Sequence, residues 1–199
     1  MIIGLEPDVI FAWPYSRDAI ISLEDKIPVV YIDPGSVDEV LNTIMMIGVV
    51  VGKISEAENL TTYMRNIIDN ITEITEDLNK TQRPLVYYEL GSPMKTVGPG
   101  TFTNEFIYLA GGINIAAEEP LRYPILTSEY IIERNPDVII VVSYGASVEE
   151  IKNRGGWDST NAVKNDRVYK IDSNIVTANP RLVQGLEQFA KWFHPDFFS

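Results

Sequence analysis

The sequence predicts an α/β protein: two lobes with mainly parallel sheets, joined by a single long helix, the first lobe incomplete. Three observations carry this. Short β-branched runs alternate with segments whose apolar residues recur at steps of three and four, the two periods of strand and helix. The segment Ile2-Ile3-Gly4-Leu5-Glu6-Pro7-Asp8-Val9-Ile10 returns at a shift of 129 residues as Ile131-Ile132-Glu133-Arg134-Asn135-Pro136-Asp137-Val138-Ile139, matching at Ile, Ile, Pro, Asp, Val and Ile. Between the copies lies one helical stretch long enough to cross from one small lobe to another.

Each copy of the repeat reads as an apolar helix end, a Pro-Asp turn and a strand, over 9–12 and 138–142, suited to burial on both faces. The second copy follows a helix start containing Glu129. The counterpart of that acid falls one position ahead of Met1, so the chain is expected to open inside its first repeat, with much of the first lobe missing.

The remaining elements follow in order. Residues 26–32 form a second strand, ended by Asp33-Pro34-Gly35. Ser36-Val37-Asp38-Glu39 and Ser55-Glu56-Ala57-Glu58 are capping boxes, each with Ser at the cap and an acid three residues on. The first opens a helix to about 51. The second opens the long helix, whose apolar residues Ala57, Leu60, Met64, Ile67, Ile68, Ile71, Ile74 and Leu78 carry it to Asn79, about 36 Å at 1.5 Å per residue. The Gln82-Arg83-Pro84 breaker leads to a strand over 85–90, a glycine-rich loop over 91–100 and a helix over 103–110 stopped by Gly111-Gly112. A short helix around Glu129, the strand after Asp137, a helix capped by Ser147, a strand over 167–171 and a last helix over 180–193 complete the order. The resulting partition is 1–54 for the residual first lobe, 55–80 for the long helix and 81–199 for the second lobe.

Composition narrows the function. With 199 residues, 45% of them hydrophobic, the chain can bury a substantial core. A net charge of -12, from 16 basic and 28 acidic residues, argues against nucleic acid or an anionic membrane as partner. Zero cysteines exclude disulfides and thiolate sites, and a single histidine, His194, excludes a His-rich metal centre. His194 is expected to cap or to lie on the surface. The longest apolar run, 44–51, is far short of the ~18 residues of a membrane span. No leader-type segment stands at the start.

In open α/β sheets ligands bind beyond the carboxyl ends of the strands. Those loops hold Trp13, Tyr15 and Arg17 after the first strand, and Glu89, Met94 and Lys95 after the third. Tyr144 follows the strand after Asp137, and Asn179 and Arg181 follow the last. Rings with a few polar anchors suit a large, partly apolar ligand. Gly98-Pro99-Gly100-Thr101 lacks both GxGxxG spacing and the Lys-Ser/Thr of a phosphate loop, and the paired acids Glu118-Glu119 and Glu149-Glu150 read as solvated helix flanks. Asn59-Leu60-Thr61, Asn70-Ile71-Thr72 and Asn79-Lys80-Thr81 are glycosylation sequons on the long helix, which matter if the chain is exported.

Together these residues resemble the substrate-binding proteins of ABC importers for ferric siderophores, haem and vitamin B12, whose two Rossmann-like lobes are joined by one long helix. The phrases that carry the resemblance span essentially the whole chain. They include Leu5-Glu6-Pro7-Asp8-Val9-Ile10, Ile27-Pro28-Val29-Val30, Glu56-Ala57, Ala110-Gly111-Gly112 with Asn114, Ser128-Glu129, Trp157 with Ala162-Val163-Lys164, and Pro180-Arg181-Leu182-Val183. No one phrase is specific; their order and spacing are. The resemblance implies capture of a metal chelate in an aromatic-lined cleft and its delivery to permease subunits, outside the cytoplasm, with no covalent chemistry and no resident cofactor. It assigns Trp13, Tyr123 and Arg181 to ligand contact, beside Tyr15, Arg17, Lys95 and Tyr144 from the loops. It also assigns Glu129 to permease docking. The expected truncation implies self-association through the incomplete first lobe. Two other readings stay open: an α/β enzyme acting on a nucleotide or metal cofactor, and an interaction module that has lost ligand binding.

Overall fold

The two copies of the repeat share a backbone signature. In the computed structural model, which describes residues 2–198, Glu6 adopts φ 46° and ψ 52° at the end of a 3-10 turn, and its counterpart Asn135 adopts φ 47° and ψ 64° at the end of a helix. Non-glycine residues seldom occupy this left-handed region. The same excursion at matching positions, each followed by Pro-Asp and a strand, shows that the sequence repeat is a repeat of conformation. The chain divides into two compact units, Met1–Pro34 and Gly35–Ser199.

The first unit holds strand β1 (Ile10–Ala12), the short helix α1 (Arg17–Ile20) and strand β2 (Val29–Tyr31). β1 and β2 pair in parallel, Ile10 opposite Val29 and Ala12 opposite Tyr31. Both strands are only half-buried along their length. The buried apolar side chains of this unit are Ile20, Leu23 and Ile27.

The second unit begins with α2 (Val37–Val50), where Ser36 Oγ accepts the Glu39 N–H at 3.2 Å, as the capping box predicts. Helix α3 (Ile54–Thr75) follows. Then come β3 (Leu85–Glu89), α4 (Phe102–Leu109), the two-residue strand β4 (Ile113–Asn114), α5 (Ser128–Arg134) and β5 (Val138–Val142). The unit closes with α6 (Val148–Lys152), α7 (Asn161–Lys164), β6 (Val168–Ile171) and α8 (Leu182–Phe193). The sheet order is β4-β3-β5-β6, all parallel. Every residue of β5 is buried, as a strand covered on both faces requires. Val86, Tyr88 and Ile140 face a core built with Leu41, Met64, Phe106 and Phe189 from α2, α3, α4 and α8. Tyr87, Ile139 and Val141 face the opposite core, with Ile131, Ile151 and Trp157.

Four expectations change. The Ser55-Glu56-Ala57-Glu58 box does not cap α3: the helix starts at Ile54 with Lys53 at its N-cap and no side-chain cap bond, so Ser55 lies inside its first turn. Helix α3 stops at Thr75, so it is 22 residues and roughly 33 Å long, because Arg83 reaches back to its end: Nη2 donates to the Thr75 carbonyl at 2.5 Å and Nε to Leu78 at 3.3 Å. Asn79 therefore lies beyond the helix. The boundary between compact units falls at Pro34/Gly35 and not near 54, since Val37, Val40 and Leu41 of α2 join the core of the larger sheet. His194 caps α8 as expected but is buried, with neutral Nε2 donating to the Gly111 carbonyl at 3.1 Å; burial holds its pKa below the ordinary imidazole value. β4 lies outside the predicted elements because two residues carry no periodicity.

Candidate functional site

Each unit presents its candidate residues on loops that leave the carboxyl ends of its strands. In the first unit, Trp13 follows β1 and caps a 3-10 turn, Pro14–Ser16, whose proline sets the entry angle. The rings of Trp13 and Tyr15 stack at 6.0 Å with 13° between their planes. Trp13 is 36% exposed and Tyr15 81%. Arg17 Nε donates to Glu24 at 3.3 Å, and Tyr31 Oη donates to the same carboxylate oxygen at 2.6 Å. The two donors hold the Glu24 carboxyl below its ordinary pKa, Tyr31 contributing most, while desolvation and Glu24 push the Tyr31 phenol up. Pro14, Arg17, Glu24, Val29 and Tyr31 line an open hollow of ≈ 530 Å³.

In the second unit the loops after β3, β5 and β6 are tied to one another. The β3 loop turns back through Met94, at φ 59°, whose N–H donates to Glu89 Oε2 at 3.0 Å. Residues beyond it pair antiparallel with the segment before α5: Lys95 lies opposite Ile125, Thr96 N–H reaches Pro124 O at 2.9 Å and Gly98 N–H reaches Arg122 O at 2.8 Å. A Cβ on Gly98 would stand 2.2 Å from the Leu121 carbonyl, so this approach requires glycine. The pairing brings Lys95 and Tyr123 to adjacent segments. The Tyr144 ring covers Gly91 so closely that a Cβ there would lie 2.6 Å from two ring carbons. Ser143 and Ser173 join the β5 and β6 loops, Oγ to Oγ at 3.1 Å, and Ser173 N–H also donates to Ser143 Oγ. Asn179 Oδ1 accepts the Arg181 N–H at 2.8 Å at the start of α8.

Tyr123, Tyr144 and Arg181 are exposed and Lys95 half-buried. Among the described residues neither Lys95 nor Arg181 forms a salt bridge. Glu129 is exposed in the first turn of α5.

Beneath the loops lies a group that sequence reasoning reached only in part. Glu89, 1% exposed, receives Arg154 in a two-pronged pair, Nη1 to Oε2 at 2.5 Å and Nη2 to Oε1 at 2.8 Å. Tyr87 Oη adds a third donor at 2.9 Å, and the guanidinium lies 4.8 Å from the Trp157 ring centre. The pair raises the Arg154 pKa, and burial pushes the Tyr87 phenol up strongly. A buried carboxylate with all its oxygens occupied is a scaffold: it fixes the turn that projects Lys95. An acid ending an apolar strand was the available signal; nothing in sequence pairs it with Arg154, 65 positions away.

Loops bearing exposed rings, and cations without a salt bridge among the described residues, thus stand at the carboxyl ends of the strands of a parallel α/β sheet. Residues 1–175 match the periplasmic binding protein family, and the chain belongs to it. An uncharacterized ABC transporter substrate-binding lipoprotein of Bacillus subtilis is 34% identical over 207 positions, covering 100% of this chain and 65% of the relative. A cobalamin-binding protein of Halobacterium salinarum is 29% identical, covering 97% of this chain and 55% of the relative. The crystal structure of a possible iron-binding, periplasmic solute-binding protein of Staphylococcus epidermidis superposes with a TM-score of 0.82 at 29% identity, covering 96% of this chain and 78% of that one. The chain thus spans 55–65% of the length of these two curated relatives.

Proposed function

We propose that the chain binds a metal chelate, a corrinoid or a ferric siderophore or haem, as the substrate-binding component of an ABC importer acting outside the cytoplasm. The observation that carries the reading is the set of strand-end loops that present Tyr123, Tyr144, Lys95 and Arg181 on a member of this family, the turn before Lys95 locked from below by Glu89 and Arg154. Rings supply flat apolar contact, and two cations without an ion pair among the described residues supply anchors for carboxylate, catecholate or amide oxygens. The first unit, taken by itself, offers the stacked rings of Trp13 and Tyr15 as a further aromatic surface, with Arg17 beside them engaged by Glu24. A corrinoid is the first ligand to try, because the halobacterial relative is a cobalamin-binding protein. The ferric alternative rests on Lys95 and Arg181, whose charge suits an anionic chelate.

Fluorescence titration tests this with cyanocobalamin, haemin and a ferric catecholate as probes. Quenching by one of them, saturable and lost in Trp13→Ala, is expected. Absence of saturable quenching with all three, in a chain that melts cooperatively, defeats the reading in favour of an interaction module.

Glu129 is the permease-docking acid. Glu129→Arg should abolish stimulation of transporter ATPase activity while leaving chelate titration unchanged. The first unit mediates self-association, supported by a two-stranded parallel sheet whose strands stay half-exposed beside exposed Ile3, Leu5 and Ile21. Sedimentation velocity showing a monomer at every concentration would defeat this part alone.

A further inference from the structure

The three sequons do not share one geometry. Asn59 and Asn70 lie within α3, where residues two apart point away from each other around the helix, so neither asparagine can meet its own threonine. Their threonine hydroxyls turn to the helix backbone instead: Thr61 Oγ1 donates to the Ala57 carbonyl at 2.9 Å, and Thr72 Oγ1 to Asp69 at 3.2 Å. Thr61 is buried besides. Asn79 stands past the end of the helix in an exposed turn. There Thr81 Oγ1 donates to Asn79 Oδ1 at 2.6 Å, and Thr81 N–H donates to the same oxygen at 3.0 Å. A backbone N–H can only donate, which identifies the accepting atom as oxygen and leaves Nδ2 as the amide atom outside both bonds.

We propose that Asn79 is an N-glycosylation site and that Asn59 and Asn70, in the folded chain, are not. The proposal rests on the exported character read above and is independent of which chelate is bound. In the transfer, a base of the transferase takes one Nδ2 proton. Nδ2 forms a bond to C1 of the first sugar of a lipid-linked glycan, and the bond from C1 to the lipid phosphate oxygen breaks with its electron pair leaving on the phosphate. No redox partner is needed. An amide nitrogen is a poor nucleophile because its lone pair is delocalised onto oxygen. Two donors already on Oδ1 stabilise the negative charge that grows there as the proton leaves.

Position favours it as well. The turn is held from behind, with Asn79 N–H donating to Gln82 Oε1 at 3.0 Å and Arg83 spanning from the Thr75 and Leu78 carbonyls to that of Tyr108. It is therefore presented in one conformation without burial. The segment enters the amino end of β3, the end of the strand opposite the loops that carry Lys95 and Tyr144. A glycan there leaves the candidate ligand site open.

The test uses the folded full chain, an oligosaccharyltransferase that accepts Asn-X-Thr and its lipid-linked glycan, with the transferase first proved active on heat-unfolded chain. Intact mass and peptide mapping should show one glycan, on Asn79. Asn79→Gln should remove it, Thr81→Ala should lower the yield at least about tenfold, and Thr81→Ser should restore most of it, all with unchanged melting. Equal modification at Asn59 or Asn70, or none at Asn79 on folded chain, overturns the proposal. In the source cells, chain recovered from the envelope without a glycan on Asn79 also overturns it. Chain found only in the cytosol removes the exported reading, and the proposal falls with it, whatever the fluorescence titration shows.

Discussion

The two compact units use the same repeat and differ in what covers it. In the second unit β5 has a strand on either side and a core on each face, and all five of its residues are buried. In the first, the equivalent strand β1 has one neighbour, and its three residues are half-exposed. Similar local instructions therefore yield a fully buried strand in one place and a half-exposed one in the other. Parallel strands gain their stability from burial on both faces, and the local sequence cannot supply the covering layers.

Breaking the scaffold of the second unit should have the largest effect. Arg154→Ala leaves Glu89 buried without its cation and should cost about 3–5 kcal/mol, read as a lower denaturation midpoint. A loss under about 1 kcal/mol would mean that the loops are not held from below. Next comes a matched pair of cavities. Phe189→Ala removes a ring packed on Tyr88, Phe106 and Phe193 and should cost about 3–5 kcal/mol, whereas Leu23→Ala in the first unit should cost about 2 kcal/mol, the low end for a leucine with few neighbours to lose. Equal costs would erase the contrast between the units.

A smaller effect is set by pH. Glu105 accepts the Val37 N–H at 2.9 Å at the start of α2, and its pKa stands above the ordinary carboxylate value, first because of burial and then because Asp38 and Glu39 lie near. A carboxyl whose folded pKa is raised stabilises the fold fully below its unfolded value and loses that contribution as pH rises through the folded one. Glu105→Gln keeps an oxygen for Val37 and cannot ionise. The fall in melting temperature between about pH 4 and pH 7 should be shallower in the variant; an unchanged slope would show that Glu105 is not the group responsible. The smallest effect belongs to the binding surface. Trp13→Ala should change stability by no more than about 0.5 kcal/mol while removing ligand quenching, because the ring rests on Tyr15 in a loop and not in a core.

Several features were legible in the chain itself. The Ser36 capping box and apolar spacing located α2, apolar spacing located α3, the segment after the Pro84 breaker located β3, the β-branched run located β5, and the Pro-Asp repeat located two strands with one backbone signature. The candidate loops followed from the rule that ligands bind at carboxyl strand ends. Less was legible about which loop residues are free to bind: Arg17 is engaged by Glu24, whereas Lys95 and Arg181 form no salt bridge among the described residues.

Period, capping and turn chemistry are properties of neighbours along the chain, so the sequence by itself determined the alternation of elements, the repeat and the class of loop in which a ligand could be held. The end of α3 at Thr75, the Glu89 and Arg154 pair, the ring of Tyr144 over Gly91 and the Asn79 turn were decided by the tertiary structure. Two of the four join residues dozens of positions apart, one depends on Arg83 folding back from eight positions beyond the helix end, and the fourth appears only once the helix is stopped short of it. Such contacts form only when packing brings the partners together and removes the water that would otherwise satisfy them.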